Sequence, residues 1–236
     1  MATPPDAFTA RIARLKADLV AQSRRVQSLA EAACESVFSR DADAVQRVLA
    51  MDEPIDRVDV AIERAAVQLL TDATAAGAAL RPDQLRMLLT IVKVNNELER
   101  IADAGVNLSE LAAPLDAQKA ILPSTLRIIT NSVVGIIRDT GTSLDRDDAA
   151  LARIVLASED AVEAFKRATL REAQVHVSTG KMSVDAAFLL MEVTNLCEIM
   201  AEHCTNIAEQ VLYATTGIIV RHMGGHWEEV PQPAST

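Results

Sequence analysis

The sequence predicts an all-α protein made of two tandem three-helix bundles, and three observations carry that expectation. Proline and glycine are sparse and fall between long stretches of apolar periodicity. Alanine and leucine, both good helix formers, fill those stretches, while the valine–threonine–aromatic alternation of strands is almost absent. Two motifs recur in the same order in each half of the chain, which marks an internal duplication. With 236 residues, half of them hydrophobic and only 3% aromatic, there is chain enough for one or two domains with a sizeable core.

The first helix is expected from about Ala7 to Ser39, because Phe8, Ile12, Leu15, Leu19, Val26, Leu29, Ala33 and Val37 recur at helical steps. The second runs from about Asp43 to the Ala75-Ala76-Gly77 stop, with Pro54 expected to kink it or mark a restart. The third opens on Pro82, a favoured first helical position, and ends near Ala113 before Pro114. The cadence repeats from about Leu115 to Thr140, Asp147 to Ser178 and Ser183 to Gly217, with Gly141, Gly180 and Gly217 where the periodicity lapses. Long antiparallel helices joined by short turns pack most simply as bundles, and alanine-rich seams allow close approach. The expected divisions are 1–113, 114–219 and a C-terminal tail, 220–236.

The repeat has two parts. Val48-Leu49-Ala50-Met51-Asp52-Glu53-Pro54-Ile55-Asp56 recurs as Val155-Leu156-Ala157-Ser158-Glu159-Asp160-Ala161-Val162-Glu163. Later in each half, Asn96-x-x-Glu99-x-x-x-Asp103-x-x-x-Asn107 recurs as Asn195-x-x-Glu198-x-x-x-Glu202-x-x-x-Asn206.

Composition removes several function classes. A net charge of −10 leaves no basic face to meet a phosphate backbone, so no nucleic-acid partner is expected. Three cysteines without a C-x-x-C do not make a disulfide framework. The N-terminus holds no signal-peptide core, and Pro123 and Arg127 interrupt the most apolar stretch, so no membrane span is expected. The expectation is a cytoplasmic protein that reaches the inner membrane only through partners.

Residues four apart share a helix face, so Asp52 with Asp56, Glu99 with Asp103, Glu159 with Glu163 and Glu198 with Glu202 each present paired carboxylates. Two readings stand side by side: a solvated polar face on each helix, or a cluster that takes a hard cation. Spacing alone points to the first, since charged residues are mostly exposed, and the repetition with flanking asparagines counts towards the second. On the third helix the carboxylates lie beside Leu85 and Val92, at the edge of the apolar face. Neither half has the Glu-x-x-His of a di-iron bundle at this site. Gly180-Lys181 lacks the glycine and hydroxyl residue of a phosphate loop. Glu172 with His176 reads as an exposed pair, His203 as a packing residue, and Arg221, His222, His226 and Trp227 as part of a flap on the bundle. No serine or cysteine stands at motif spacing from a base, so nucleophilic catalysis is not expected.

These residues also carry a resemblance. Leu85-Arg86, a spacer, then Glu97-Leu98-Glu99-Arg100-Ile101-Ala102-Asp103 resembles the signature of the PhoU family, and Asp52-x-x-Ile55-Asp56 resembles its D-x-x-[IV]-D element. Cys204-Thr205-Asn206-Ile207, the ending Tyr213 to Gly217 and the stretch from Val220 to Gly225 are similar to its second half. The resemblance implies a non-enzymatic regulator of phosphate uptake and phosphate-starvation signalling. It implies partners too: the ATPase subunit of a phosphate ABC transporter and a phosphate-sensing histidine kinase. A homodimer is expected separately, from the long apolar bundle faces, which often pair. The resemblance also implies metal (Mg, Mn, Fe or Zn) on Asp52, Asp56, Glu99 and Asp103 in the first bundle, and on Glu159, Glu163, Glu198 and Glu202 in the second. The alternatives are a metal-dependent phosphoester enzyme and an oligomeric helical scaffold without metal. Departures from the family pattern are Gln84 for an aspartate, Pro54 within the first element, Ala102 and Ala201 for a glycine, and a second motif without its arginine.

Overall fold

A computed structural model describes residues 5–223 and 226–230, with side chains described from Phe8 to Arg221. The elements are α1 (Pro5–Ser39), α2 (Ala42–Ala75), α3 (Pro82–Glu110), α4 (Ala112–Ala117), α5 (Ser124–Arg146), α6 (Ala149–Ala157), α7 (Glu159–Ser178), α8 (Val184–Thr216), β1 (Ile219–Met223) and β2 (His226–Val230). Short polar side chains set several starts. Asp148 Oδ1 accepts from the Leu151 amide at 2.9 Å and Ser183 Oγ from the Ala186 amide at 3.0 Å, each satisfying an orphan donor of the first turn. The last helix ends on Gly217, whose φ of +75° only glycine adopts without strain.

Three expectations of the helix map are corrected. The fourth long helix begins at Ser124, not Leu115, because Pro123 has no amide to donate and disfavours helix in the residue before it. Leu115 belongs instead to the short α4, which closes where Lys119 takes φ +49°. Gly141 does not end α5. A Cβ there would sit 3.2 Å from Ser23 Oγ, so the glycine serves a close approach to α1, and the helix continues to Arg146. The break lies in the other half from the one proline suggested. Helix α2 runs through Pro54, whose missing donor falls opposite the exposed Ala50, where water can take the free carbonyl. The fifth rod breaks between α6 and α7 at Ser158, whose Oγ donates to the Val155 carbonyl at 2.6 Å.

Past α8 the chain forms an antiparallel hairpin, Ile219 opposite Val230 through Met223 opposite His226, with β1 packed on α8. No strand is expected there from composition or alternation. The side chains of the expected flap residues His222, His226 and Trp227 lie outside the described residues, as do Gly224 and Gly225 and the ends 1–4 and 231–236.

Helices α1, α2 and α3 make one bundle, and α5, α6–α7 and α8 the other. The bundles join through equivalent helices, α3 on α8 and α1 on α5, which is the arrangement of a pseudo-two-fold axis between duplicates. Contacts fix the sense of α3 against α8. Glu97 meets His203 and Asn206, while Gln118, just beyond α3, meets Ser183, so the two helices run antiparallel. Leu19, Leu29, Ile55, Leu69, Ile91, Ile101 and Leu108 in one half and Leu126, Ile129, Leu190 and Met200 in the other are fully buried in one continuous core. Gly105 lets α1 come close: a Cβ on it would lie 2.5 Å from Leu29 Cδ2.

Candidate functional site

The first bundle gathers carboxylates from two helices. Asp52, Asp56 and Asp59 come from α2, and Glu99 and Asp103 from α3. Burial, then Asp56 and Asp103, push the Asp52 carboxyl above its usual range, and its Oδ1 is buried without a hydrogen-bond partner. Burial, then Asp103, Asp59 and Asp56, push Glu99 up, with only Arg100 opposing. Asp59 is likewise raised, by burial, then Glu63 and Asp56, although Asn95 Nδ2 donates to its Oδ1 at 2.6 Å. The four carboxylates expected from the repeat in this half thus sense one another. Asp59, a fifth, was missed because only the inter-helix packing places it there. Its signal was the α2 spacing Asp52, Asp56, Asp59, a helical i, i+4, i+7 stripe.

The second bundle brings its four carboxylates together differently. Glu159, Glu163, Glu198 and Glu202 line one cavity of about 230 Å³ between α7 and α8. Here cations of the chain itself intervene: Lys166 Nζ donates to Glu198 Oε2 at 2.6 Å, and Arg167 pairs with Glu163. Among the described residues, no three His, Cys, Asp or Glu side chains converge closely enough to hold a metal ion. The donor chemistry of the first cluster nonetheless suits a hard cation: five oxygen-bearing side chains, one oxygen buried and unpartnered, and mutual repulsion that a positive charge would relieve.

A larger polar cavity, about 490 Å³, opens where the bundles meet, lined by α3, α7, α8 and Arg221 of β1. His203 is more than a packing residue. Its Nδ1 lies 2.7 Å from Glu97 Oε2, which also accepts from Asn206 Nδ2 at 3.1 Å, with Glu97 and His203 side chains only 16% and 14% exposed. Burial alone would raise Glu97, but the His203 and Asn206 hydrogen bonds outweigh it and hold its carboxyl below the usual range. Arg221 pairs with the buried Glu209, tying the hairpin to α8. Glu172, expected as an exposed partner of His176, also accepts from the Ser124 and Thr125 amides at 3.0 and 3.3 Å, capping α5 from α7. Burial opposes the shift, yet those hydrogen bonds lower its carboxyl.

Two tandem bundles with duplicated acidic motifs define an internally duplicated all-helical protein. The PhoU domain matches residues 20–112 and again 126–211, and the chain belongs to the PhoU family. It is 25% identical over 214 residues to "Phosphate-specific transport system accessory protein PhoU homolog 1" of Thermotoga maritima, covering 89% of each chain. It is 26% identical over 220 residues to a PhoU homolog of Pseudomonas putida, covering 92% of this chain and 84% of that one. Its fold matches the crystal structure of PhoU from Pseudomonas aeruginosa with a TM-score of 0.79 at 23% identity, over 89% of this chain and 99% of that one. It also matches the phosphate transport system regulatory protein PhoU from Streptococcus pneumoniae with a TM-score of 0.81 at 17% identity, over 91% and 100%. No described helix is long and apolar enough to cross a membrane.

Proposed function

We propose that this chain is a non-enzymatic regulator of phosphate uptake, docking on the ATPase subunit of a phosphate transporter and on a phosphate-sensing histidine kinase. The names of its relatives, accessory proteins of phosphate-specific transport systems, support the role. The observation that carries the docking surface is the cluster of Asp52, Asp56, Asp59, Glu99 and Asp103, whose mutual repulsion Arg100 and Asn95 only partly offset. A hard divalent cation or iron, bound there, would relieve the repulsion while leaving the face net acidic for a basic surface of a partner. Asp52, Asp56, Glu99 and Asp103 would hold it, with Asp59 lending charge. Glu159, Glu163, Glu198 and Glu202 form the second and weaker site, since Lys166 and Arg167 already occupy two of its carboxylates.

The test is co-purification of the chain with the transporter ATPase and with the kinase, with and without Mn²⁺, beside elemental analysis of the gently purified protein. Binding that weakens in an Asp52→Asn, Glu99→Gln variant supports the reading. Absence of binding to both partners in either condition defeats it.

A further inference from the structure

Both halves of the molecule leave large apolar side chains in water at the same three positions of the repeat. On α3 these are Leu85, Leu89 and Val92; on α8 they are Val184, Phe188 and Met191, with Leu89 55% and Phe188 60% exposed. In the register that matches Glu99 to Glu198 and Asp103 to Glu202, the two sets coincide position for position. Elsewhere the duplicates have diverged freely, as Asp59 against Lys166 and Gly105 against Cys204 show. Solvent alone gives no reason to keep exposed apolar bulk at three equivalent positions twice.

The pseudo-two-fold axis determines where these ridges lie. Glu97 touches His203, whose counterpart on α3 is Ala104, so the axis crosses α3 near Arg100 and Ile101. At 1.5 Å of rise per residue, Leu89 and Phe188 sit about 17 Å on either side of it, at opposite ends of antiparallel helices. Between them runs the acidic strip of the eight duplicated carboxylates, in which Lys166 meets Glu198 and Arg167 meets Glu163.

We propose that this face docks a two-fold symmetric protein, so that one copy of the chain spans both subunits of a homodimer. The partner would present two apolar pockets flanking a basic centre. Charge decides against a second copy of this chain as the occupant, because stacking the face on itself would oppose one acidic strip to another. The inference rests on the docking role proposed above and sharpens it: the regulator's own internal symmetry matches the partner's.

The experiment measures the mass of the complex with the homodimeric transporter ATPase by light scattering, and its affinity for Leu89→Asp, Phe188→Asp and the double variant. Both residues are exposed, so folding should persist, and helical circular dichroism checks it. One chain per ATPase dimer is expected, with each single variant weakened about tenfold or more and the double variant not binding. Two chains per dimer, or loss from one ridge only, overturns the two-fold arrangement while leaving the docking role intact, as does unchanged binding in all three variants. Self-association of the free chain that Phe188→Asp abolishes assigns the face to a second copy and also overturns it. Failure of the unsubstituted chain to bind both ATPase and kinase defeats the docking role, and this inference falls with it.

Discussion

Where the first bundle carries Asp59, the second carries Lys166, and that exchange divides two sites built from the same motif. Asp59 adds to the repulsion that raises Glu99, whereas Lys166 donates to Glu198 at 2.6 Å. Arg167 compounds the difference, since its counterpart is Val60, which is exposed and apolar. One half leaves a negative field to be met from outside; the other meets much of its own. Duplicated motifs therefore do not imply duplicated chemistry. The residues that decide it lie one helical turn away from the motif itself.

The comparison can be broken first in the core, where the halves should behave alike. Ile101 and Met200 occupy equivalent, fully buried positions, so Ile101→Ala and Met200→Ala should each lower stability by about 2–5 kcal/mol. Urea denaturation measures both, and a loss confined to one half would show that the bundles do not share their core equally. Next comes Gly105, whose counterpart is the buried Cys204. Grafting the second half's residue by Gly105→Cys should cost about 1–3 kcal/mol by driving a Cβ into Leu29, and Gly105→Ala somewhat less. Equal stability of Gly105→Cys and the unsubstituted chain would show that α1 can retreat.

The charge exchange is sharpened by Lys166→Asp, which gives the second cluster the character of the first. Titration with Mn²⁺ should then show affinity at the second site raised about tenfold, with the Glu198 tie lost at about 1 kcal/mol of stability. Unchanged Mn²⁺ binding would separate the lysine from cation choice.

The smallest expected effect is in the pH dependence, and its two parts have opposite signs. Glu97 is held below the usual 4.5, so its contribution is complete above that value and lost as pH falls through the lowered one. Asp52, Asp59 and Glu99 are held above their usual values, so they oppose folding at neutral pH and are relieved as pH falls through the raised ones. Thermal midpoints should therefore rise slightly from pH 7 towards pH 5, then fall below about pH 4 as the Glu97–His203 link between bundles fails. Glu97→Gln should blunt the acid fall, and Asp52→Asn the rise.

Much of the architecture was legible because long helices write their periodicity plainly: Phe8 to Val37 and Leu189 to Val211 needed no tertiary knowledge. Glycine misled where one residue type has two uses. Gly77 and Gly217 end helices, but Gly141 admits Ser23, and only packing distinguishes them. The hairpin was illegible because its strands are short and its alternation is broken by charge. At the site, i,i+4 spacing found carboxylates that share a helix face. It could not find pairs across helices, such as Glu97 with His203, 106 residues apart, or Lys166 with Glu198. Sequence spacing reports one helix at a time, whereas compensation of charge is decided between helices.

The interruption at Ser158 adds a last asymmetry. Because α7 starts afresh at Glu159, that carboxylate and Asp160 stand in a first helical turn, where unsatisfied amides gather the positive end of the peptide dipoles. Asp52, mid-helix in the unbroken α2, receives no such field. A single kinked rod thereby places two carboxylates of the second half at the start of a helix, a position that none of the first half's acidic motif occupies.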